Sequence, residues 1–225
     1  MNDEGTGHSV RLAAMVPRTR ALGPGERFAI WLQGCPFSCP GCIAPEFLPM
    51  GGGRTVSSPV LARRIAAEAA IDGVSISGGE PFAQASGLAA LVEAVRERTN
   101  LGILVFSGYT LQELRRRART MPAIGRVLGS IDLLIDGRYR HELNDSKGLR
   151  GSTNQCLHYL TPRYAGTDDR LQRADRTMEL HDTRWGQIYV GLPPLASWQK
   201  IVLEGEDPPD LIRGDRRLQA REGRL

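Results

Sequence analysis

The chain has 225 residues, 41% hydrophobic and 24% charged, the composition of a globular chain long enough to bury a sizeable core. No apolar run approaches the roughly 18–20 residues that span a bilayer, and the opening "MNDEGTGHSVRLAAMV" has no basic leader before a long apolar segment, so neither an anchor nor a secretory signal is expected. The net charge of +4 is carried almost wholly by arginine, with lysine only at Lys147 and Lys200. Those arginines are scattered over helices and tail, which reads as a solvated surface rather than the basic stripe of a nucleic-acid binder.

In chain order, residues 1–9 read as disordered and "VRLAAMV" at 10–16 as a strand. "LGPGER" at 22–27 is a turn, and "FAIWL" at 28–32 a short buried strand. A cysteine-rich loop follows, then a flexible loop at 50–59. A helix is expected over 59–72, with Ser58 as its cap and Pro59 in its first position. Strands are expected at 73–77, 101–106 and 131–136, and helices at 86–99 and 110–120. Apolar strands alternating with helices imply an α/β protein with a parallel sheet and right-handed crossovers. Residues 156–225 read differently: a last core strand in "CLHYLTPRY", a helix-prone "RLQRADRTMEL", two strand-like segments, 186–194 and 197–205, split by a proline turn, and a Pro- and Arg-rich end. The expected organisation is an N-terminal arm with a possible first strand (1–20), a core (21–160) and a C-terminal extension of mixed structure (161–225).

Cys35, Cys39 and Cys42 fall within eight residues, "CPFSCPGC", and the chain's one other cysteine is Cys156. Clustered thiols of this kind bind metal or do redox chemistry in the cytoplasm, and three in a Pro/Gly-rich loop are poor core material. Zinc would need Cys156 or a distant histidine as a fourth ligand. A redox dithiol at "CPGC" would leave Cys35 without a task. An iron–sulfur cube is the third reading: one tight loop, bent at Pro36, Pro40 and Gly41, wraps three corners, and the fourth iron stays open for another ligand.

The C-x3-C-x2-C spacing resembles that of the radical S-adenosylmethionine enzymes. "SGGEPF" at 77–82, closing the next strand, resembles the segment that binds the ligand's ammonium group in that family. The resemblance implies a 4Fe–4S cluster on Cys35, Cys39 and Cys42, with S-adenosylmethionine chelating the open iron. It also implies reductive cleavage to methionine and a 5′-deoxyadenosyl radical. Gly78, Gly79 and Glu80 would take the ammonium. Gly41, Ile43 (as an apolar platform for adenine) and Ser107 would complete the cofactor site. No catalytic group beyond cluster and cofactor is called for.

Within that family, "GPGER", "CPGC", "FSGYTLQEL", "IDLLIDGRY" and "LRGSTNQ" resemble, in order, segments of the glycyl-radical-enzyme activating enzymes, the anaerobic ribonucleotide reductase activating proteins in particular. This implies an incomplete β/α barrel, a glycyl radical enzyme as partner and a flavodoxin- or ferredoxin-like electron donor. A peptide or small-molecule substrate, and a non-catalytic iron–sulfur or zinc module, remain as alternatives. Ile43 stands where an aromatic is common in the subfamily, and residues 157–225 exceed the compact activase. Arg27 reads as an orienting residue or a surface ion-pair partner, Asp136 as a turn carboxylate or a ribose contact, and Cys156 as a buried thiol. His141, His158 and His181 read as structural or surface residues.

Overall fold

The computed structural model describes residues 8–183 and 186–193. The expected strand at 197–205 and the Pro- and Arg-rich end lie outside them, as do residues 1–7. Nine strands are present among the described residues: β1 (Ser9–Thr19), β2 (Arg27–Leu32), β3 (Arg54–Ser57), β4 (Gly73–Gly78), β5 (Gly102–Ser107), β6 (Leu133–Asp136), β7 (Cys156–Tyr159), β8 (Met178–Thr183) and β9 (Gly186–Gly191). The helices are α1 (Ser58–Ala66), α2 (Ala85–Arg98), α3 (Leu111–Arg117), α4 (Pro122–Ser130) and α5 (Asp168–Arg173). No helix among these residues is long and apolar enough to cross a membrane.

Seven strands form one sheet in the order β3-β1-β2-β4-β5-β6-β7, and β8 pairs with β9 in a separate hairpin. The fold is α/β, but only the central β2, β4, β5 and β6 run parallel. β1, β3 and β7 are antiparallel to their neighbours, which corrects the expected all-parallel sheet. The reason lies in the connections. Residues 20–26 form only a turn between β1 and β2, too short for a crossover. Residues 137–155 contain no α-helix, so the chain turns back at the edge where β6 ended.

Alternation along the strands divides the sheet's two faces. Phe28, Ile30, Val74, Ile76, Ile103 and Val105 face α1, α2 and α4 and form the main core. Ala29, Trp31, Leu104, Phe106, Leu133 and Ile135 belong to two smaller clusters, which Tyr164, Leu171, Ile188 and Val190 complete. The described part of the extension therefore covers the face that the helices leave bare.

Several local expectations shift. Arg54–Ser57, read as flexible loop, pairs with β1. Ser57, not Ser58, occupies the cap position of α1; the Ser58 hydroxyl is buried and donates to the Gly87 carbonyl of α2 at 2.9 Å. α1 ends at Ala66, and the chain then drops to Asp72, whose carboxylate accepts from the Glu26 amide at 2.8 Å. The helix at 110–120 stops at Arg117, and Pro122 opens the unforeseen α4, since proline fits a first helical turn and not an interior. Thr110 and Glu113 form a reciprocal capping box at the start of α3. The helix-prone stretch 170–180 divides between α5 and β8.

Candidate active site

The carboxyl ends of β2, β4, β5 and β6 meet at one edge of the sheet, the edge where open α/β sheets bind ligands. The thiol loop follows β2 and closes on itself. Gly34 N donates to Phe47 O at 2.8 Å and Cys35 N to Leu48 O at 3.0 Å, while Cys42 N donates to Cys39 O at 3.1 Å within the loop. Gly41 has φ +71°, a conformation glycine adopts without strain, and this lets the chain double back between Cys39 and Cys42.

The turn after β4 is locked to the start of that loop. Gly79 N donates to Leu32 O at 2.7 Å and Glu80 N to Gly34 O at 2.9 Å. Gly78 has φ +112°, and a Cβ there would stand 2.3 Å from Leu32 N and 2.4 Å from Leu32 O. The Gly-Gly pair is thus what lets the two segments touch.

Glu80 is fully buried. Its carboxylate accepts from Phe82 N at 2.9 Å, Ser107 Oγ at 3.0 Å and Gly108 N at 2.7 Å. Burial nevertheless pushes its pKa up to about 7, against the pull of those donors. The side chain is spent on tying the β4 turn to the end of β5. Ser107 borders the cavity, and its Oγ also accepts from Tyr109 N at 3.0 Å in the turn.

Between these segments lies a cavity of about 230 Å³. Cys35, Cys39 and Cys42 line it together with Gly41 and Ile43 of the same loop. Gly78, Gly79, Glu80 and Ser107 line it as well, so the residues read as cluster ligands and cofactor contacts border one space, while Arg27 and Asp136 do not. Burial pushes the Cys35 thiol up to about 11, with Glu80, Cys42 and Cys39 adding to the rise, and raises Cys42 as well. Thiols in such a setting become ligands when a metal's positive charge stabilises the thiolate, so the donor set fits a cationic iron–sulfur centre. Among the described residues no three His, Cys, Asp or Glu side chains converge on a point where one metal ion could sit. A lone zinc needs its sulfurs about 2.3 Å from a common centre.

Among the cavity residues that sequence reasoning did not single out, three stand out. Glu46, in a short turn after the thiols, has its Oε1 buried without a hydrogen-bond partner, and burial raises its pKa to about 7. Tyr189 of β9 and Arg176, just before β8, line the same space from the extension. The Arg176 guanidinium donates to Arg150 O at 2.7 Å, Gly151 O at 3.1 Å, Asn144 Oδ1 at 2.9 Å and Pro193 O at 3.2 Å. "APEF" offered no spacing signal for Glu46, and the extension reaches the site only through tertiary contact.

Other residues lie elsewhere. Arg27 is neither an orienting nor a surface residue. It is fully buried at the start of β2, the end of the strand away from the thiols. Its guanidinium donates to Ser75 Oγ, Tyr164 OH, Val74 O and Gly102 O, neutral acceptors that satisfy it without a carboxylate in contact. Cys156 is exposed on the edge strand β7, correcting its reading as a buried thiol. Asp136 serves structure, accepting from Leu111 N at the start of α3 and lying 2.8 Å from His158 Nε2. His181 Nε2 sits 2.8 Å from Glu179 Oε2, and His141 Nδ1 lies 3.3 Å from Tyr139 OH.

The fold and site define a class: an α/β protein with a thiol-bearing loop at the carboxyl edge of a parallel sheet core. Residues 21–158 match the family described as "4Fe-4S single cluster domain". The chain is 31% identical over 146 residues to the anaerobic ribonucleoside-triphosphate reductase-activating protein of Salmonella typhi, a match covering 61% of this chain and 91% of that protein. Its likeness to the protein of the same name from Vibrio cholerae is 32% over 148 residues, 62% of this chain and 91% of that one. Among solved structures, QueE from Escherichia coli aligns with a TM-score of 0.37 at 20% identity, over 47% of this chain and 55% of that one. The chain belongs to the 4Fe-4S single cluster domain family and, within it, to the anaerobic ribonucleoside-triphosphate reductase-activating proteins.

Proposed function

We propose that the protein is a radical S-adenosylmethionine activating enzyme for a glycyl radical enzyme, anaerobic ribonucleotide reductase, in the cytoplasm. The observation that carries this reading is the meeting of Cys35, Cys39 and Cys42 with Gly78, Gly79 and Glu80 around one cavity. Cys35, Cys39 and Cys42 would hold the 4Fe–4S cluster as thiolates. The Gly78–Gly79 turn would receive the ammonium of S-adenosylmethionine, with Glu80 fixing that turn from behind. Ile43 supplies an apolar surface for the adenine, and Ser107 borders the ribose side. When bound, the cluster and S-adenosylmethionine would supply the radical chemistry that abstracts hydrogen from a glycine of the partner.

The chain's own part is orientation and exclusion of water. Trp31, Phe106 and Ile188 give the cavity apolar walls, and no side chain is needed as general acid or base. The open seven-stranded sheet is read as an incomplete β/α barrel, whose unclosed side admits a large partner.

One observation favours a second reading of the substrate. Arg176, Ile188, Tyr189 and Pro193, in the extension beyond the family match, form one side of the cavity. A wall there suits a peptide or small molecule offered to the same chemistry. Co-purification with an anaerobic ribonucleotide reductase that gains a glycyl radical signal decides for the first reading.

The test of the chemistry is anaerobic reconstitution with iron and sulfide, followed by dithionite and S-adenosylmethionine, with 5′-deoxyadenosine measured. Cys39→Ala abolishes the product, whereas Cys156→Ala keeps the parent's iron content and rate. Product formed by Cys39→Ala at the parent rate overturns the ligand assignment.

A further inference from the structure

Cys39 lines two spaces. One is the cavity shared with the other thiols. The second is an open groove of about 600 Å³ on the outer side of the loop, bordered by Pro36–Pro40, Gly108, Thr110, Glu113, Gly137–Arg140 and Asn154. Pro36, Ser38 and Pro40 are exposed, and Cys39 itself is only half-buried. The loop is therefore one residue thick at Cys39, with the cofactor cavity on one side and solvent on the other.

The groove is not a plain polar surface. Arg138 stacks over the Phe37 ring at 4.6 Å, Phe37 meets Tyr109 edge-on at 4.7 Å, and Arg117 covers Tyr109 at 4.6 Å. Two aromatics in edge-to-face contact thus run from the loop to the start of α3, with a guanidinium at each end. The Arg138 and Arg140 side chains are 55% and 58% exposed. Glu113 and Glu142 offset part of this charge, Glu113 at 3.9 Å from Arg138 and Glu142 at 2.7 Å from Arg140. Arg117 over Tyr109, and Arg116, whose charge acts on Glu113, add positive charge beside the groove. Each guanidinium here keeps donors free of a stacking ring, so it can meet a carboxylate.

We propose that this groove is the docking surface for an acidic one-electron carrier protein, which reduces the cluster through the thin wall at Cys39. The inference rests on the proposed function, since only a cluster on this loop needs an electron delivered there. One electron leaves the carrier and one is gained by the cluster; no proton or covalent bond is exchanged. Electron transfer falls steeply with distance, which favours the face where least protein intervenes. A transient electron-transfer interface is small and is steered by opposite charge, so a few arginines suffice. Docking outside the loop also leaves the cavity free for S-adenosylmethionine and the substrate while the electron arrives.

The experiment measures the affinity of an oxidised, acidic flavodoxin for the cluster-loaded protein by calorimetry at low ionic strength, for the parent and for Arg138→Glu/Arg140→Glu. Neither arginine lines the cofactor cavity. The charge reversal is expected to weaken binding about 10-fold or more, and added salt to weaken the parent far more than the variant. Flavodoxin-driven formation of 5′-deoxyadenosine falls in parallel, while the dithionite-driven rate and S-adenosylhomocysteine affinity stay at parent values. Arg138→Lys/Arg140→Lys keeps most of the binding. Equal flavodoxin affinity in parent and charge-reversed protein overturns the proposal. So does an unchanged flavodoxin affinity with impaired glycyl radical formation, which would give the groove to the partner enzyme. A parent that makes no 5′-deoxyadenosine even with dithionite refutes the reading of the preceding section instead, and the calorimetry still decides the groove.

Discussion

Ser107 donates to Glu80 at 3.0 Å, joining the end of β5 to the turn after β4. The same carboxylate accepts from the backbone amides of Phe82 and Gly108, so one buried side chain holds three donors. Glu80→Ala strands all three. Leaving a buried donor unpaired costs about 1–3 kcal/mol, so the variant should lose roughly 3 kcal/mol or more of stability in urea unfolding. Glu80→Gln keeps the side chain's shape and one acceptor, and should lose less. Equal stability of Glu80→Ala and the parent would contradict the tethering role.

Gly78 and Gly129 make a controlled pair. At Gly78 an added Cβ meets the Leu32 backbone at 2.3 Å on a φ of +112°, so Gly78→Ala should cost several kcal/mol and lower iron incorporation. Gly129 is exposed in α4 with nothing within 4 Å of the added atom. Gly129→Ala should therefore stabilise by about 0.5–1 kcal/mol through helix propensity. Chemical denaturation of both variants, with iron content, reads the difference.

Glu46 makes the cluster-free protein's stability depend on pH. Burial raises its pKa from 4.5 to about 7. Between those values the folded chain holds a proton there that the unfolded chain has released. Stability from this group is complete below the unfolded value and is lost as pH rises through about 7. Glu46→Gln should flatten that decline between pH 5 and 8 in urea titrations. Glu80 shifts in the same direction and keeps its own share of the slope in the variant. An unchanged slope in Glu46→Gln argues against burial of its charge.

Arg176 clamps the chain entering β8 to the loop at 144–151 and to Pro193 beyond β9. Arg176→Ala should loosen the hairpin while sparing the sheet. Hydrogen exchange would then quicken at the amides of β8 and β9 and stay slow in β4, β5 and β6, where burial is complete or nearly so. Uniform quickening across both regions would mean that the clamp supports the whole fold rather than the hairpin.

Chain-local features were open to reading from residue order. "CPFSCPGC" and "SGGEPF" carry their chemistry in spacing a few residues long, and the strand–helix alternation from 73 to 136 is a periodicity that survives any packing. Hence Cys35, Cys39, Cys42, Gly78, Gly79 and Glu80 could be named together as one site, and the α/β class with them. Direction and burial were less accessible. Cys156 was expected inside and stands outside because β7 is an edge strand, a property of sheet order rather than of its own neighbours.

What the amino-acid order determined alone is the set of thiols and turn glycines that border the cavity, since thiol spacing and glycine conformation act within a few bonds. What only the folded chain decided is how those groups are backed and enclosed. Arg27 is buried by meeting Tyr164, 137 positions away, and β8 is anchored to β1 by Thr19 and Glu179, 160 positions apart. Such contacts arise only when the sheet's second face is covered. Covering that face removes apolar side chains from water, and the gain depends on which surfaces meet, not on which residues are adjacent in the chain.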